Sequence, residues 1–415
     1  MNKIKLGIIG LGQRGDGLLN EILQMDDVEV CALCDLYDDR IQKAFDRIKE
    51  KHGNEPSQTQ DFRDILNSPE VDAVLISAAW EAHADLAAEA MRAGKWTALE
   101  VGGAYDINDC FKLVDIYEQT KTPFMFLENC CYGRRELMCL NMVKSDVFGE
   151  VVHCDGAYCH DLREEVSSGV EIRHYRLRNY IHRNCDNYPT HELGPIAKLL
   201  NINNGNRMLS LVSFASKSAG LHEYVEQKRG KDDSLAKVRF KQGDVITTII
   251  KCAGGETITL SLNTTLPHPY SRNFNVHGTK ACYCENNNSF YIDGEEYEGG
   301  EDDWDKNWGN FNRYSEKYEH PLWKEYRANG VHAGHGGMDW LTLRAFFESF
   351  FEKKLPPINV YDAASWMSIT ALSEQSIALG GAPVPIPDFT RGKWVCGISY
   401  PQVEKYRLDI IPDIK

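Results

Sequence analysis

The stretch YPTHELGP, residues 188–195, sets the Tyr188 phenol three positions before the His191 imidazole, ahead of an apolar run with helical spacing. An imidazole titrates near neutrality and can both take and return protons there. A phenol does so only with a lowered pKa, and otherwise serves as an acid and hydrogen-bond donor. The same eight residues also read as a helix start, with the Thr190 hydroxyl as cap, Pro195 in the first turn and His191 a core histidine. Residue types alone leave both readings open.

A second chemical signal lies near the N-terminus. GLGQRG places Gly10, Gly12 and Gly15 in G-x-G-x-x-G spacing, with Gln13 and Arg14 among them, after the apolar run KIKLGIIG and at the head of a helical pattern over residues 12–25. The first glycine permits a tight turn, the second lets a pyrophosphate approach the backbone, and the third lets helix and strand pack closely. The helix N-terminus then offers unpaired N–H groups to phosphates. Asp35 ends the second strand twenty residues after Gly15. A carboxylate there accepts from a ribose diol and repels a 2′-phosphate, which favours NAD over NADP, with Arg40 the one nearby charge that would suit the latter.

These residues need a frame. VEVCALCD, VDAVLISA, WTALEV and PFMFLE are apolar strands separated by helical patterns, including Glu81 to Ala93 and a stretch near 106–120. Near-continuous apolar strands joined by helices predict a parallel sheet covered on both faces. After about Gly149 the pattern changes to VVHCDGAY, RMLSLVSFAS and DVITTIIKCAGGETITLSLNT, with Gly254-Gly255 marking a hairpin. The expected class is α/β plus α+β. A Rossmann parallel sheet occupies 1–148, and an open, mainly antiparallel sheet domain for substrate and oligomerisation occupies 149–415. Helical patterns at 338–353 and 360–379 belong to the latter and can pack back on the first domain. Residues 294–303, GEEYEGGEDD, read as an acidic solvated loop in preference to a metal site.

Composition narrows the classes. With 415 residues, two domains are the default. Forty-six basic against sixty-one acidic side chains give a net charge of −15, spread along the chain, which argues against nucleic-acid and anionic-membrane partners. No apolar run reaches the roughly 18 residues of a membrane span. The thirteen cysteines show no framework, and the first residues lack a signal-peptide pattern, so free thiols in a reducing cytoplasm are expected. Cys31 and Cys34 form a C-x-x-C and Cys282 and Cys284 a C-x-C, but no second pair is placed as a zinc ribbon needs.

The chain resembles the Gfo/Idh/MocA oxidoreductases over nearly its whole length. Those dehydrogenases usually carry Glu-Lys-Pro at the end of the strand written here as WTALEV. This sequence has Glu100, Val101, Gly102 and Gly103 instead, so the lysine is missing. The replacement resembles one branch, glycoside hydrolase family 109, the NAD-dependent α-N-acetylgalactosaminidases. The resemblance rests on ENCCYGRREL at 128–137, GAYCHDLR at 156–163, YPTHELGPIAKLLNINNGNR at 188–207, LPHPYSRNFNVHGTK at 266–280 and GHGGMD at 334–339. Glu192 stands where that family commonly has glycine.

The resemblance implies a cycle in which NAD is kept. Hydride leaves the sugar's C3, the 3-ketone acidifies C2–H, the C1 substituent departs by elimination, water adds, and C3 is reduced again, an exception to paired-carboxylate glycosidases. By resemblance His191 carries acid/base work near C3 or C2. Tyr188 and Tyr270 contact substrate, with Tyr270 also a proton carrier, and Arg176 and Tyr158 bind the sugar. Glu100, Asn129 and His335 belong to the cofactor side, and Gly102 and Gly103 let the nicotinamide approach the chain. His335 and Asp339 are four apart, too few for a metal pair. The implied partners are a small glycoside and further copies of the chain, as a homodimer or homotetramer. The other activities considered are an NAD-dependent sugar or cyclitol dehydrogenase, and a non-catalytic NAD-loaded sensor.

Overall fold

The computed structural model describes residues 3–299, 303–332, 334–398 and 401–408, so residues 300–302 of the acidic run lie outside the described residues. Two compact units emerge. One comprises residues 1–129, 329–367 and 399–407, the other 130–328, 368–398 and 408–415. Residues 130–148 thus group with the second sheet, and the 338–353 helix with the first.

The first unit holds a six-stranded parallel sheet. Its strands are β1 Ile4–Ile9, β2 Val28–Cys34, β3 Ser57–Thr59, β4 Ala73–Ile76, β5 Trp96–Leu99 and β6 Phe124–Phe126, in the order β3-β2-β1-β4-β5-β6. Ile4, Leu6, Ile8, Val74, Leu75 and Ile76 are fully or almost fully buried, as a sheet covered on both faces requires. The order reverses between β1 and β4, and ligands of such sheets bind at the strands' carboxyl ends there. Helix Gln13–Ile22 follows β1 and buries Leu18, Leu19 and Ile22. β3 escapes the sequence pattern because it is three polar or exposed residues, SQT, pairing only at the edge.

The second unit contains an eight-stranded sheet. Its strands are β7 Val151–Cys159, β8 Met208–Ala215, β9 Val245–Cys252, β10 Thr257–Asn263, β11 Asn275–Gly278, β12 Ala281–Cys284, β13 Ser289–Ile292 and β14 Val384–Pro385, ordered β13-β12-β11-β7-β10-β9-β8-β14. All pairs are antiparallel except β7 with β10. The Gly254-Gly255 turn joins β9 to β10 as the hairpin signal predicts, with Gly255 at φ 108°. Along β9, Ile246, Thr248, Ile250 and Cys252 are buried while Thr247, Ile249 and Lys251 face out, the alternation of a sheet covered on one side.

All thirteen cysteines carry free thiols. Cys31 and Cys34 are three apart on β2 and so on opposite faces. Desolvation raises their pKa to about 11 and about 12, which keeps both as unreactive thiols. Among the described residues no helix is long and apolar enough to cross a membrane.

Candidate functional site

The glycine loop has the shape a dinucleotide needs. Gly10 has φ +96°, and a Cβ there would lie 2.6 Å from the Ala78 nitrogen. A Cβ on Gly15 would lie 2.1 Å from the Gly10 carbonyl oxygen, so only glycine lets the helix sit this close to β1. At Gly12 the nearest atom would be Arg40 Nη1 at 3.5 Å, which leaves that backbone open. No side chain caps the helix Gln13–Ile22, so its first-turn N–H groups suit a pyrophosphate. Asp35 accepts from Leu11 N at 2.7 Å and Tyr37 N at 3.0 Å, which ties the loop to the end of β2. Arg40 Nη1 stands 3.8 Å from that carboxylate. Asp35 therefore shapes the loop, a structural duty the spacing did not reveal.

Arg14 turns into a carboxylate network. Its Nε donates to Glu100 Oε1 at 2.9 Å, while Nη1 and Nη2 donate to Asp339 Oδ2 and Oδ1 at 2.7 and 2.8 Å. Asp339 also accepts from Asn129 Nδ2 at 2.7 Å and from His335 Nδ1 at 2.7 Å. With Asp339 ionised, Nδ1 of His335 is the donor in that contact. Burial penalises the Arg14 charge, but Glu100 and Asp339 hold it protonated well beyond its ordinary range. Burial also opposes ionisation of Asp339, yet Arg14 and His335 hold that carboxyl far below the usual carboxylate range. Glu21 is buried beside this network, its pKa raised by burial and by Asp339. Sequence spacing flagged His335 and Asp339 as one face; Asp339 as the hub, and Glu21, it missed.

Gly102 owes its identity at least in part to packing within the chain. A Cβ there would lie 2.4 Å from Trp80 Cδ1, so the indole occupies the space the missing side chain leaves. Glu100 holds the Val101 amide at 3.0 Å and so fixes the turn that leaves β5.

In the second unit the five expected sugar-side residues come together. Tyr158 lies near the end of β7, Arg176 opens helix Arg176–His182, His191 lies in helix Thr190–Leu199, and Tyr270 is in the segment between β10 and β11. Cys159 and Ser271 exchange backbone hydrogen bonds of 3.0 Å, which lays that segment along β7. Ring centroids of Tyr158 lie 4.5 Å from Tyr188, 5.7 Å from His191 and 6.2 Å from Tyr270. The Tyr188 hydroxyl is 3.4 Å from His191 Nε2. The Arg176 guanidinium lies 5.2 Å from the Tyr188 centroid and pairs with Glu165 at 3.1 Å.

The helix carrying His191 departs from the expected start. Its cap is Pro189, without a side-chain cap bond, and Thr190 is the first helical residue, its buried hydroxyl making no hydrogen bond to the described residues. Pro195 is the sixth residue rather than part of the first turn. It has no N–H to give the carbonyl four positions back, that of His191. All ten residues are buried, so packing substitutes for the cap. Gly156 on β7 accommodates it, since a Cβ there would lie 2.7 Å from Glu192 Cβ.

Desolvation raises the Tyr158 pKa against the pull of Arg176, so this phenol is a hydrogen-bond donor. Partial desolvation raises that of Tyr270, which is 48% exposed, with Cys130 adding to it and Arg272 opposing it. Burial penalises the Arg176 charge, while Tyr158 and Glu165 keep it protonated. The cluster also contains His160, its ring 5.3 Å from Tyr270 and its pKa lowered by burial and by Arg176. His160 falls in a quoted block, two residues after Tyr158, and same-face strand spacing was the signal for it. Arg272, ion-paired with buried Glu136, was also missed.

Comparison with known proteins places these units. Residues 4–127 match the oxidoreductase family with an NAD-binding Rossmann fold, and residues 132–396 match the glycosyl hydrolase 109 C-terminal domain. A glycosyl hydrolase family 109 protein of Stenotrophomonas maltophilia is 39% identical over 94% of this chain and 90% of its own length. An alpha-N-acetylgalactosaminidase of Tannerella forsythia is 37% identical over 94% of this chain and 87% of its own. A levoglucosan dehydrogenase solved with NADH and levoglucosan superposes with TM-score 0.69 at 16% identity, covering 93% of this chain and all of that one. Myo-inositol 2-dehydrogenase of Lactobacillus plantarum gives 0.66 at 14%, over 93% of this chain and all of that one. These two share the fold. An NAD-binding Rossmann unit followed by the matched C-terminal domain, with relatives of this identity along almost the whole length, makes the chain a member of glycosyl hydrolase family 109.

Proposed function

We propose that the chain is an NAD-dependent glycoside hydrolase that releases a terminal α-N-acetylgalactosamine or a similar sugar. The observation that carries this reading is the gathering of Tyr158, Arg176, Tyr188, His191 and Tyr270 into one cluster. Bound NAD supplies a hydride acceptor that is restored within each turnover, so oxidation of the sugar is temporary. His191 moves the proton at the sugar's C3 hydroxyl or C2, the role for which an imidazole beside a phenol is suited. Tyr158, kept protonated by burial, and Tyr188 donate hydrogen bonds to sugar oxygens, and Arg176 adds a fixed positive charge where an enolate oxygen gains density. Tyr270 delivers a proton to the leaving oxygen.

Gly10, Gly12, Gln13 and Gly15 line the pyrophosphate loop, Asp35 takes the ribose diol, and the Arg14, Glu100, Asn129 and His335 network orders the loop from β5 and β6. Exposed Phe214 and Ile249 on the outward face of the second sheet support a homodimer or homotetramer, which light scattering tests. The free thiols support a cytoplasmic location, which fractionation of the source cells tests.

Enzyme with NAD⁺ and a nitrophenyl N-acetylgalactosaminide should release nitrophenol with no net NADH. In heavy water the product should carry deuterium on C2. Stoichiometric NADH without cleavage would show a dehydrogenase instead.

A further inference from the structure

A cavity of about 450 Å³ opens on β12 and β13, lined by Tyr291, Tyr297, Trp304 and Trp308, with the thiols of Cys282 and Cys284 also in its wall. It shares no residue with the Tyr158–His191 cluster. Tyr291 and Tyr297 stack at 4.9 Å, and Trp304 meets Tyr291 edge-on at 5.4 Å. Trp304 and Trp308 are nevertheless 45% and 61% exposed. Indole surface held open at a concave site marks a place where a ligand completes the packing.

The charge around the cavity narrows the ligand. Exposed Glu296, Glu298 and Asp305 belong to the segment that forms this wall, Glu298 through its amide to Asn307 Oδ1 at 3.1 Å. Their charge repels anions.

The geometry points to a second carbohydrate subsite here, which takes a neutral pyranose with its C–H face on an indole. The cavity's size suits one ring with its substituents. The subsite holds a sugar of a branched or repeated glycan other than the one being cleaved. Choosing a sugar over another neutral ring rests on the glycosidase reading.

The test uses the full chain loaded with NAD and follows alkylation of Cys282 and Cys284 by iodoacetamide, resolved by mass spectrometry. Methyl galactoside or methyl N-acetylgalactosaminide should slow labelling of both thiols and change tryptophan emission, whereas methyl glucuronide should do neither. Trp308→Ala should abolish the protection while cleavage of a nitrophenyl glycoside stays at the parent rate. Protection by no neutral glycoside overturns the subsite, as does protection that survives Trp308→Ala. So does a change of oligomeric state in Trp308→Ala without any sugar effect, which would show that a second copy covers the aromatics. Protection in a chain that cleaves no nitrophenyl glycoside would keep the subsite and reject the hydrolase reading.

Discussion

Arg14 and Asp339, 325 positions apart in sequence, form a two-pronged pair with N–O distances of 2.7 and 2.8 Å. The arginine inside the glycine motif thus spends its guanidinium on carboxylates of its own unit, and its effect on a phosphate is that of a fixed, already neutralised charge.

Removing the hub should therefore be felt in both stability and binding. Asp339→Ala leaves Arg14 with Glu100 alone and deletes the acceptor shared by Asn129 and His335. Loss of one partner from a buried pair costs about 3 kcal/mol. Urea unfolding of the variant should show that drop, and calorimetric titration should show weaker NAD binding. An unchanged midpoint would mean the network is ornamental.

His191→Ala should lower glycoside turnover by roughly 10²- to 10⁴-fold, the range for loss of a general acid/base. NAD retention through gel filtration should stay at the parent level, because no nucleotide contact is assigned to His191. Turnover within a factor of about two of the parent would remove the residue from the mechanism.

Asp186, two residues before Tyr188, gives stability a pH dependence. Desolvation lifts its carboxyl to about 7, against hydrogen bonds from Thr248 and the Tyr188 amide and an ordinary value of 3.8. The folded chain therefore binds a proton that the unfolded chain releases between these values. The contribution of this group is complete below the lower value, is lost as pH climbs to about 7, and changes no further above it. Asp186→Asn should flatten that slope and stand on the order of a few kcal/mol above the parent at pH 8. Parallel denaturation curves for the two proteins from pH 4 to 8 would contradict this.

Gly156 and Glu192 form a size-coupled pair, with 2.7 Å between the Cβ that Gly156 lacks and that of Glu192. Gly156→Ala should destabilise by about 1–3 kcal/mol through overpacking. Combining it with Glu192→Gly should recover part of the loss, a coupling that a double-mutant cycle reads directly. Additive losses would place the clash elsewhere.

Much of this was legible beforehand because its signals are local. Apolar runs such as VDAVLISA and the glycine spacing announce a buried parallel sheet with a phosphate loop, and VITTIIKC with its following Gly-Gly announces an alternating hairpin. The three-residue β3 carries no periodicity, and the parallel pairing of β7 with β10 joins segments about a hundred residues apart, which no window detects. The Thr190 cap failed for a related reason. Capping rules describe helices whose ends meet water, whereas this one is buried throughout and starts on Pro189. The Tyr158–His191 cluster was reached through family likeness, and its missed member His160, like the hub role of Asp339 beside Arg14, depends on neighbours that only the folded chain supplies.

The first unit is assembled from three separated stretches, 1–129, 329–367 and 399–407. A ribosome must therefore pass residue 407 before that unit can close, since Asp339 emerges long after Arg14. During synthesis the early strands wait with a guanidinium matched by Glu100 alone, and domains that cannot finish early are the ones exposed to chaperones and to aggregation. Truncation after residue 148 accordingly yields an incomplete fragment, not a transplantable nucleotide-binding module.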